Sequence, residues 1–226
     1  MSVRPLPQDT RFNIFVIGDN PSIEKMFSDR QYTIVDNPDD AYTLVWTGGA
    51  DIDPQLYGET PINETGRPNN KRDAEEMEFF HDYAHKFKVG ICRGAQFLNV
   101  MNGGRLVQHV NNHGRTHLVF TPDHPLGVPC TSTHHQLMVP STEKNKRPQM
   151  LGWAFEASLF KQPFRSTKIK NFSGIPDNPL GSENRFSRDP EILWYPLTRS
   201  FCFQPHPEYH LAPCKNLFFD LYEELS

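Results

Sequence analysis

The chain has 226 residues, of which 37% are hydrophobic, and a formal net charge of −4. This length suits a sizeable core, and the hydrophobic content lies above that of disordered chains. The dispersed Lys and Arg residues argue against a nucleic-acid surface, and the N-terminal apolar run is too short for a signal peptide or a membrane span. The four cysteines, Cys92, Cys130, Cys202 and Cys214, have no paired spacing, which is typical of reduced thiols in a cytoplasmic protein.

Predicted strands and helices alternate in the first half of the chain. Apolar runs predict strands within residues 11–18, 32–36, 41–49 and 88–91. Helical spacing predicts helices over 21–30, over 72–87 and from Arg93 onward, with a loop over 50–70. The apolar face expected for the second helix consists of Ala74, Met77, Phe80, Tyr83, Ala84 and Phe87. Such alternation implies right-handed crossovers and a mostly parallel sheet.

The second half is less regular. Short strands, partly antiparallel, are predicted at GRLVQHV, THLVF, MVP, EILWYPL and RSFCFQ, and PCKNLFFDLYEEL predicts a final amphipathic helix. Residues 159–190 are rich in Pro, Ser, Asn, Lys and Arg and show little periodicity, so we interpret them as an insertion or lid. No internal repeat or linker divides the chain, and we expect one domain over 1–226.

The stretch KVGICRGAQFLN places Cys92 between Gly90 and Gly94, after an apolar strand and before a helix. A strand that turns sharply into a helix holds its turn residue in a strained conformation, and glycines on either side avoid collisions across the turn. This is the arrangement of a nucleophile elbow, and the helix N-terminus favours the thiolate. A buried core cysteine beside two helix-packing glycines is the alternative.

A base for such a nucleophile is expected in FCFQPHPEYH. The strand would deliver His206 to the sheet edge, and Glu208 could fold back onto the imidazole as the third member of a triad. Taken alone, these residues could form a surface turn. The Gly48–Gly49 turn after another strand would expose backbone amides at the same edge, where Gly49 and Arg93 could supply an oxyanion hole. A plain tight turn is again the alternative.

Four motifs in this order, TGGADIDPQLYGE, GICRGAQ, STHHQ and QPHPE, resemble the class I glutamine amidotransferase-like superfamily. More narrowly, they resemble its γ-glutamyl-γ-aminobutyrate hydrolase branch. The resemblance implies a flavodoxin-like α/β fold with helices on both faces of a mostly parallel sheet and a smaller antiparallel portion. Pro205 and the Trp46–Thr47 pair depart from the family pattern and leave the substrate open.

The resemblance also implies roles for particular residues. Cys92 would be the nucleophile, His206 the general base and acid, and Glu208 its orienter. Backbone amides of Gly49 and Arg93 would form the oxyanion hole. The substrate-binding candidates are Gly48, Gln96, His135 and Gln136.

Three histidines at spacings of four, His109, His113 and His117, could bind zinc if they shared a helical face. Gly114 and the two asparagines argue against a helix there. We therefore interpret these residues, with the nearby His124, His134 and His135, as polar loop residues near the mouth of the active site.

The sequence thus predicts a cysteine hydrolase of γ-glutamyl amide bonds that forms a γ-glutamyl thioester and needs no metal or other cofactor. The expected partner is a small γ-glutamyl amide or glutamine, without nucleic acid or membrane. One alternative is a glutaminase subunit that supplies ammonia to a separate synthetase, and another is a catalytically silent binding protein. The sequence leaves open the identity of the leaving amine and the formation of a homodimer.

Overall fold

The computed structural model describes residues 10–111, 113–155 and 188–226. Its eleven strands are β1 Asn13–Ile17, β2 Thr33–Ile34, β3 Thr43–Trp46, β4 Phe87–Ile91, β5 Arg105–Val107, β6 His117–Val119, β7 Val128–Cys130, β8 Leu137–Val139, β9 Gln149–Ala154, β10 Asp189–Tyr195 and β11 Ser200–Phe203. Its α-helices are α1 Pro21–Ser28, α2 Asn70–Asp82, α3 Arg93–Met101 and α4 Ala212–Leu225. None of the helices in these ranges is long and apolar enough to span a membrane.

A seven-stranded sheet in the order β2-β1-β3-β4-β11-β10-β9 forms the centre of the fold. The first five strands of this order run parallel, while β10 is antiparallel to both of its neighbours. Two small antiparallel pairs, β5 with β8 and β6 with β7, complete the described strands. The predicted α/β class, with a mostly parallel sheet and a smaller antiparallel portion, is confirmed.

Helices cover both faces of this sheet. On one face, α1 and α4 bury an aromatic cluster in which Phe27 packs edge-on against Phe218, Phe219 and Tyr222. On the other face, α2 and α3 bury Phe80, Phe97 and Leu98 against the sheet. Burial on both faces explains why the central strands read as continuous apolar runs in the sequence.

Helix α2 differs from its prediction in both bounds and face. It begins at Asn70, where the side chain of Asn69 accepts a hydrogen bond from the amide of Arg72, and it ends at Asp82. Phe87 is therefore the first residue of β4, and Ala74 is exposed. The buried positions are Asp73, Glu76 and Phe80, because two acidic side chains of this helix pair with a buried arginine described below.

The sequence prediction missed β7 and β9, and it extended the insertion into β10. Strand β7 contains Pro129, which is tolerated in a two-stranded ribbon, and β9 contains Gly152, where a side chain would press on that of Ile192. Residues 159–187 of the predicted insertion at 159–190 lie outside the part of the chain that the structure describes. Its last two residues already belong to β10, whose strand begins at Asp189.

Candidate active site

The backbone turns sharply at Cys92, between β4 and α3. Its φ of 53° and ψ of −110° lie outside the regions that non-glycine residues normally occupy. The Cys92 amide donates to the carbonyl of Phe203 at 3.0 Å, so hydrogen bonding to β11 continues up to the turn. Such strain is held by the packing around it and places the thiol at the carboxyl edge of the sheet.

The glycines on either side of Cys92 leave room for this turn. A Cβ at Gly90 would overlap the backbone of Gly94, and a Cβ at Gly94 would overlap the carbonyl of Trp46 on β3. Gly90 thus permits the strand and helix to fold back on each other, whereas Gly94 permits the helix to lie against the neighbouring strand.

His206 follows β11, which pairs with β4 in the sheet, so the chain brings the imidazole beside Cys92. Nδ1 of His206 lies 2.7 Å from Oε1 of Glu208, and Nε2 lies 2.8 Å from the hydroxyl of Thr133. The ring of Tyr209 stacks on the imidazole, with centroids 4.6 Å apart and planes 4° apart. The imidazole is therefore held at both nitrogens and on one face.

The pKa of His206 reflects this setting. Burial lowers it, but hydrogen bonds and charge from Cys92 and Glu208 outweigh burial and raise the pKa to about 11. The imidazolium is therefore the favoured form near neutral pH.

Arg72 holds the Gly-Gly turn beside this pair. Its guanidinium donates to the carbonyl of Gly48 at 3.0 Å and to the carbonyl of Thr47 at 3.0 Å. Because carbonyl and N–H of a trans peptide point in opposite directions, binding of the Gly48 carbonyl by Arg72 directs the Gly49 amide away from the arginine. Gly49 has φ +146°, and a Cβ there would overlap the guanidinium.

Arg93, the first residue of α3, has a buried side chain. It forms ion pairs with Asp73 and Glu76 of α2, and all three side chains are at least 96% buried. Glu76 also accepts from Nε of Arg72 at 2.6 Å. One network of ion pairs and hydrogen bonds therefore joins the Gly-Gly turn to the start of α3. Because this network engages the Arg93 side chain, the backbone of Arg93 is the part that can act at the pocket.

The nine candidate residues of the sequence analysis line one pocket of about 520 Å³. They are Cys92, His206, Glu208, Gly48, Gly49, Arg93, Gln96, His135 and Gln136. This volume is typical of small-molecule sites. The arrangement suits acyl transfer, because a thiol, an imidazole and backbone amides meet in one cleft.

A histidine–carboxylate pair lies at the same pocket. Nε2 of His135 is 3.2 Å from Oδ1 of Asp51, and this hydrogen bond raises the pKa of His135 against the opposing effect of burial. Nδ1 of His135 also lies 3.4 Å from Nδ1 of His109. The raised pKa of His135 favours its cationic form, and a histidine beside a carboxylate could bind the two charged groups of an amino acid.

Sequence reasoning missed several residues of this site. Asn20, Ser22, Asp51, Thr133 and Tyr209 also line the pocket, together with His134, which the sequence analysis had placed near its mouth. Asp51 lies inside a motif already singled out, and Thr133 precedes the histidine pair. Asn20 and Ser22, by contrast, come from the start of α1 and carry no local signal.

His113 and His134 lie in loops, as interpreted from the sequence, whereas His117 belongs to β6. All three are buried, because they cluster around the buried carboxylate of Glu191 on β10. His109 does not join them and lies against His135 instead. Among the described residues, the side chains of His113, His117, His134 and Glu191 form a group that could hold a metal ion.

The fold is shared with solved structures, among them that of a glutamine amidotransferase. Similar solved structures include a "putative gmp synthase subunit a protein" from Thermoplasma acidophilum, with a TM-score of 0.60 over 94% of this chain and 96% of that one. A glutamine amidotransferase from Thermotoga maritima has a TM-score of 0.55 over 95% of this chain and 84% of that one. Both are 12% identical to this chain, so the likeness shows the fold alone.

The family follows from the sequence match. The model of the Peptidase C26 family matches residues 29–147, and the chain belongs to this family of enzymes. The resemblance expected from the four motifs is thereby confirmed.

Curated relatives carry amidotransferase names. "Putative glutamine amidotransferase Rv2859c" from Mycobacterium tuberculosis is 43% identical over 74 residues, which are 32% of this chain and 24% of the relative. "Putative glutamine amidotransferase-like protein YvdE" from Lactococcus lactis subsp. lactis is 38% identical over 94 residues, 41% of this chain and 39% of the relative. The matches thus span less than half of these relatives' own length.

Proposed function

We propose that this chain hydrolyses γ-glutamyl amide bonds, with Cys92 as nucleophile, His206 as general acid and base, and Glu208 as the orienter of the imidazole. The observation that carries the proposal is the strained turn at Cys92 beside an imidazole whose Nδ1 is held 2.7 Å from a carboxylate. Membership in Peptidase C26 supports the class of bond.

The reaction begins when Sγ of Cys92 attacks the side-chain carbonyl carbon of the γ-glutamyl group. The imidazolium of His206 gives its proton to the leaving nitrogen, the C–N bond breaks, and a γ-glutamyl thioester forms. His206 then takes a proton from a water molecule, which attacks the thioester. Cleavage of the C–S bond restores the thiolate and releases glutamate.

The oxyanion of each tetrahedral intermediate is stabilised by the amides of Gly49 and Arg93. Arg72 supports this role, because its grip on the Gly48 carbonyl orients the Gly49 amide. Loss of one such donor typically costs about 10²–10³ in kcat. Arg72 is therefore a positioning residue rather than a catalytic one.

The glutamyl end of the substrate is bound by the remaining polar groups of the pocket. His135 faces the α-carboxylate, and Asp51 faces the α-amino group, which matches the charges of the pair. Gln96 and Gln136 line the same pocket and offer amide hydrogen bonds to the substrate. The leaving amine is not specified by any of these groups.

A second candidate uses glutamine itself and passes ammonia to a separate synthetase subunit. The names of the curated relatives, which include glutamine amidotransferase, favour glutamine as the amide. In this case the chemistry at Cys92 is unchanged and the leaving group is ammonia.

Glutamate release from a panel of γ-glutamyl amides, with glutamine included, tests the proposal. We expect turnover of at least one panel member, and turnover of glutamine alone would favour the second candidate. The proposal would be overturned if Cys92 reacts fully with a glutamine-analogue electrophile but no substrate of the panel releases glutamate. Hydrolysis would then not be the function of the isolated chain.

A further inference from the structure

We propose that this chain binds a zinc ion through His113, His117, His134 and Glu191, at a site separate from the proposed catalytic residues. The four side chains are at most 6% exposed as residues, and their candidate ligand atoms all lie within 4.8 Å of one another. Three imidazoles and one carboxylate are a donor set that suits Zn²⁺.

The four residues come from separate parts of the fold. Glu191 belongs to β10 of the central sheet and His117 to β6, whereas His113 and His134 lie in loops. A bound ion would therefore tie two loops and a small ribbon to the main sheet. The H-x3-H spacing of His113 and His117 supplies two ligands without a helix.

The distances around Glu191 match tetrahedral coordination. Its Oε1 lies 3.1 Å from Nδ1 of His113, 3.3 Å from Nε2 of His117 and 3.5 Å from Nε2 of His134. Ligand atoms at zinc bond lengths of about 2.0–2.1 Å are separated by about 3.3 Å along each edge of a tetrahedron. The candidate ligand atoms as a set lie within 4.8 Å of one another, so the most distant of them must move closer together when the ion binds.

The outward nitrogen of each histidine already has an acceptor. Nε2 of His113 lies 3.3 Å from Oδ2 of Asp189, Nδ1 of His117 lies 3.2 Å from the carbonyl of Arg115, and Nδ1 of His134 lies 2.7 Å from the carbonyl of Gln136. A carboxylate or backbone carbonyl on the outer nitrogen is the usual support of a metal-binding imidazole. With the proton on the outer nitrogen, each inner nitrogen presents a lone pair to the centre.

Apart from the contacts with one another given above, the inward atoms have no partner among the residues that the structure describes. Nδ1 of His113, Nε2 of His117, Nε2 of His134 and both carboxylate oxygens of Glu191 are buried and make no hydrogen bond of acceptable geometry. Lone pairs of three imidazoles converging on a carboxylate oxygen repel one another, and a buried charge needs compensation. A divalent cation satisfies all of these atoms together, and its charge balances those of Glu191 and Asp189.

Four protein ligands leave no open position for substrate or water, so the ion is structural. His134 directly follows Thr133, whose hydroxyl contacts His206. His134 itself also lines the pocket that contains Cys92. The zinc would therefore hold the loop against which the imidazole rests. The reaction proposed above takes place at Cys92 and does not use the metal, so either proposal can fail without the other.

The test is the metal content of the full-length chain, purified without an affinity tag from zinc-supplemented culture. Elemental analysis should find about one zinc per chain in the wild type. His117→Ala and Glu191→Gln should each lose most of it. His85→Ala, which changes an exposed histidine far from the cluster, should retain it. Equal retention by all variants would place the metal elsewhere and overturn the site.

Thermal unfolding of the wild type keeps the proposal testable if the variants fail to fold. Removal of zinc with a chelator should lower Tm by at least about 5 °C, and stoichiometric Zn²⁺ should restore it. A wild-type chain that contains almost no transition metal, and whose Tm is unchanged by added Zn²⁺, would overturn the proposal. The cluster would then be a proton-sharing network between histidines and carboxylates.

Discussion

His206 and Glu208 form the closest described contact of the candidate triad, with 2.7 Å between Nδ1 and Oε1. A single proline separates the two residues in the chain, so the carboxylate folds back onto the imidazole with little loss of loop entropy. The other nitrogen of the imidazole faces Thr133 and the pocket. This contact therefore fixes which nitrogen is available for proton transfer.

Replacement of the thiol tests the nucleophile. Cys92→Ala should abolish glutamate release while Tm changes little, because alanine is smaller and meets the same backbone strain. Mass spectrometry after treatment with a glutamine-analogue electrophile should find label on Cys92 and spare Cys130, Cys202 and Cys214, which are 0% exposed. Equal labelling of all four thiols would contradict an activated cysteine.

Changes at the base should follow the roles in the triad. His206→Asn should lose nearly as much kcat as Cys92→Ala, since members of a triad act as a unit and their losses do not add. Glu208→Gln should lose less, because the imidazole is still present but is less well held. If His206→Asn keeps most of the activity, the base lies elsewhere and the neighbouring His135 is the next residue to change.

The protonation of His206 should be visible by NMR. Its folded pKa of about 11 lies above the ordinary value of 6.5, so the ring should remain protonated through pH 9 and lose its proton only at higher pH. The imidazolium of His206 stabilises the fold through its interactions with Cys92 and Glu208. This contribution to the free energy of unfolding is complete below about pH 6.5 and is lost as the pH rises through 11. Cys92→Ala and Glu208→Gln should both lower this pKa, and an unchanged titration in both variants would contradict the assigned cause.

Arg72 should affect the rate without touching the substrate. Arg72→Met should lower kcat by about 10-fold or more and KM much less, because a displaced Gly49 amide weakens binding of the oxyanion. Lys71→Met is the matched control, since this neighbouring side chain is 86% exposed and pairs only at the surface with Glu75. Equal kinetics of the two variants would separate Arg72 from the oxyanion hole.

Packing at the elbow should make Gly94 intolerant of any side chain. Gly94→Ala would force Trp46 and α3 apart, and we expect a loss of about 1–3 kcal/mol in the free energy of unfolding. Gly114→Ala should be nearly neutral, because an added Cβ there meets no atom within 4 Å. Denaturant unfolding of the two variants measures the difference, and similar stabilities would show that the helix can shift at no cost.

The features that sequence alone predicted are those with local signals. The elbow glycines, the HPE motif and the alternation of apolar strands with helices each lie within a few residues of chain. Parallel strands also bring their carboxyl ends to one edge, so the sequence predicts that Cys92, His206 and the Gly-Gly turn lie close together. The family resemblance added the substrate-binding candidates, whose roles remain predictions.

Tertiary structure decided the features whose partners are distant in the chain. The apolar face predicted for α2 did not include Asp73 and Glu76, which are buried because both pair with Arg93 from the next helix. His113 and Glu191 are 78 positions apart in numbering and meet only because β10 joins the sheet between β9 and β11. Neither contact leaves a periodic pattern, since a buried charge depends on its partner rather than on its own sequence neighbours.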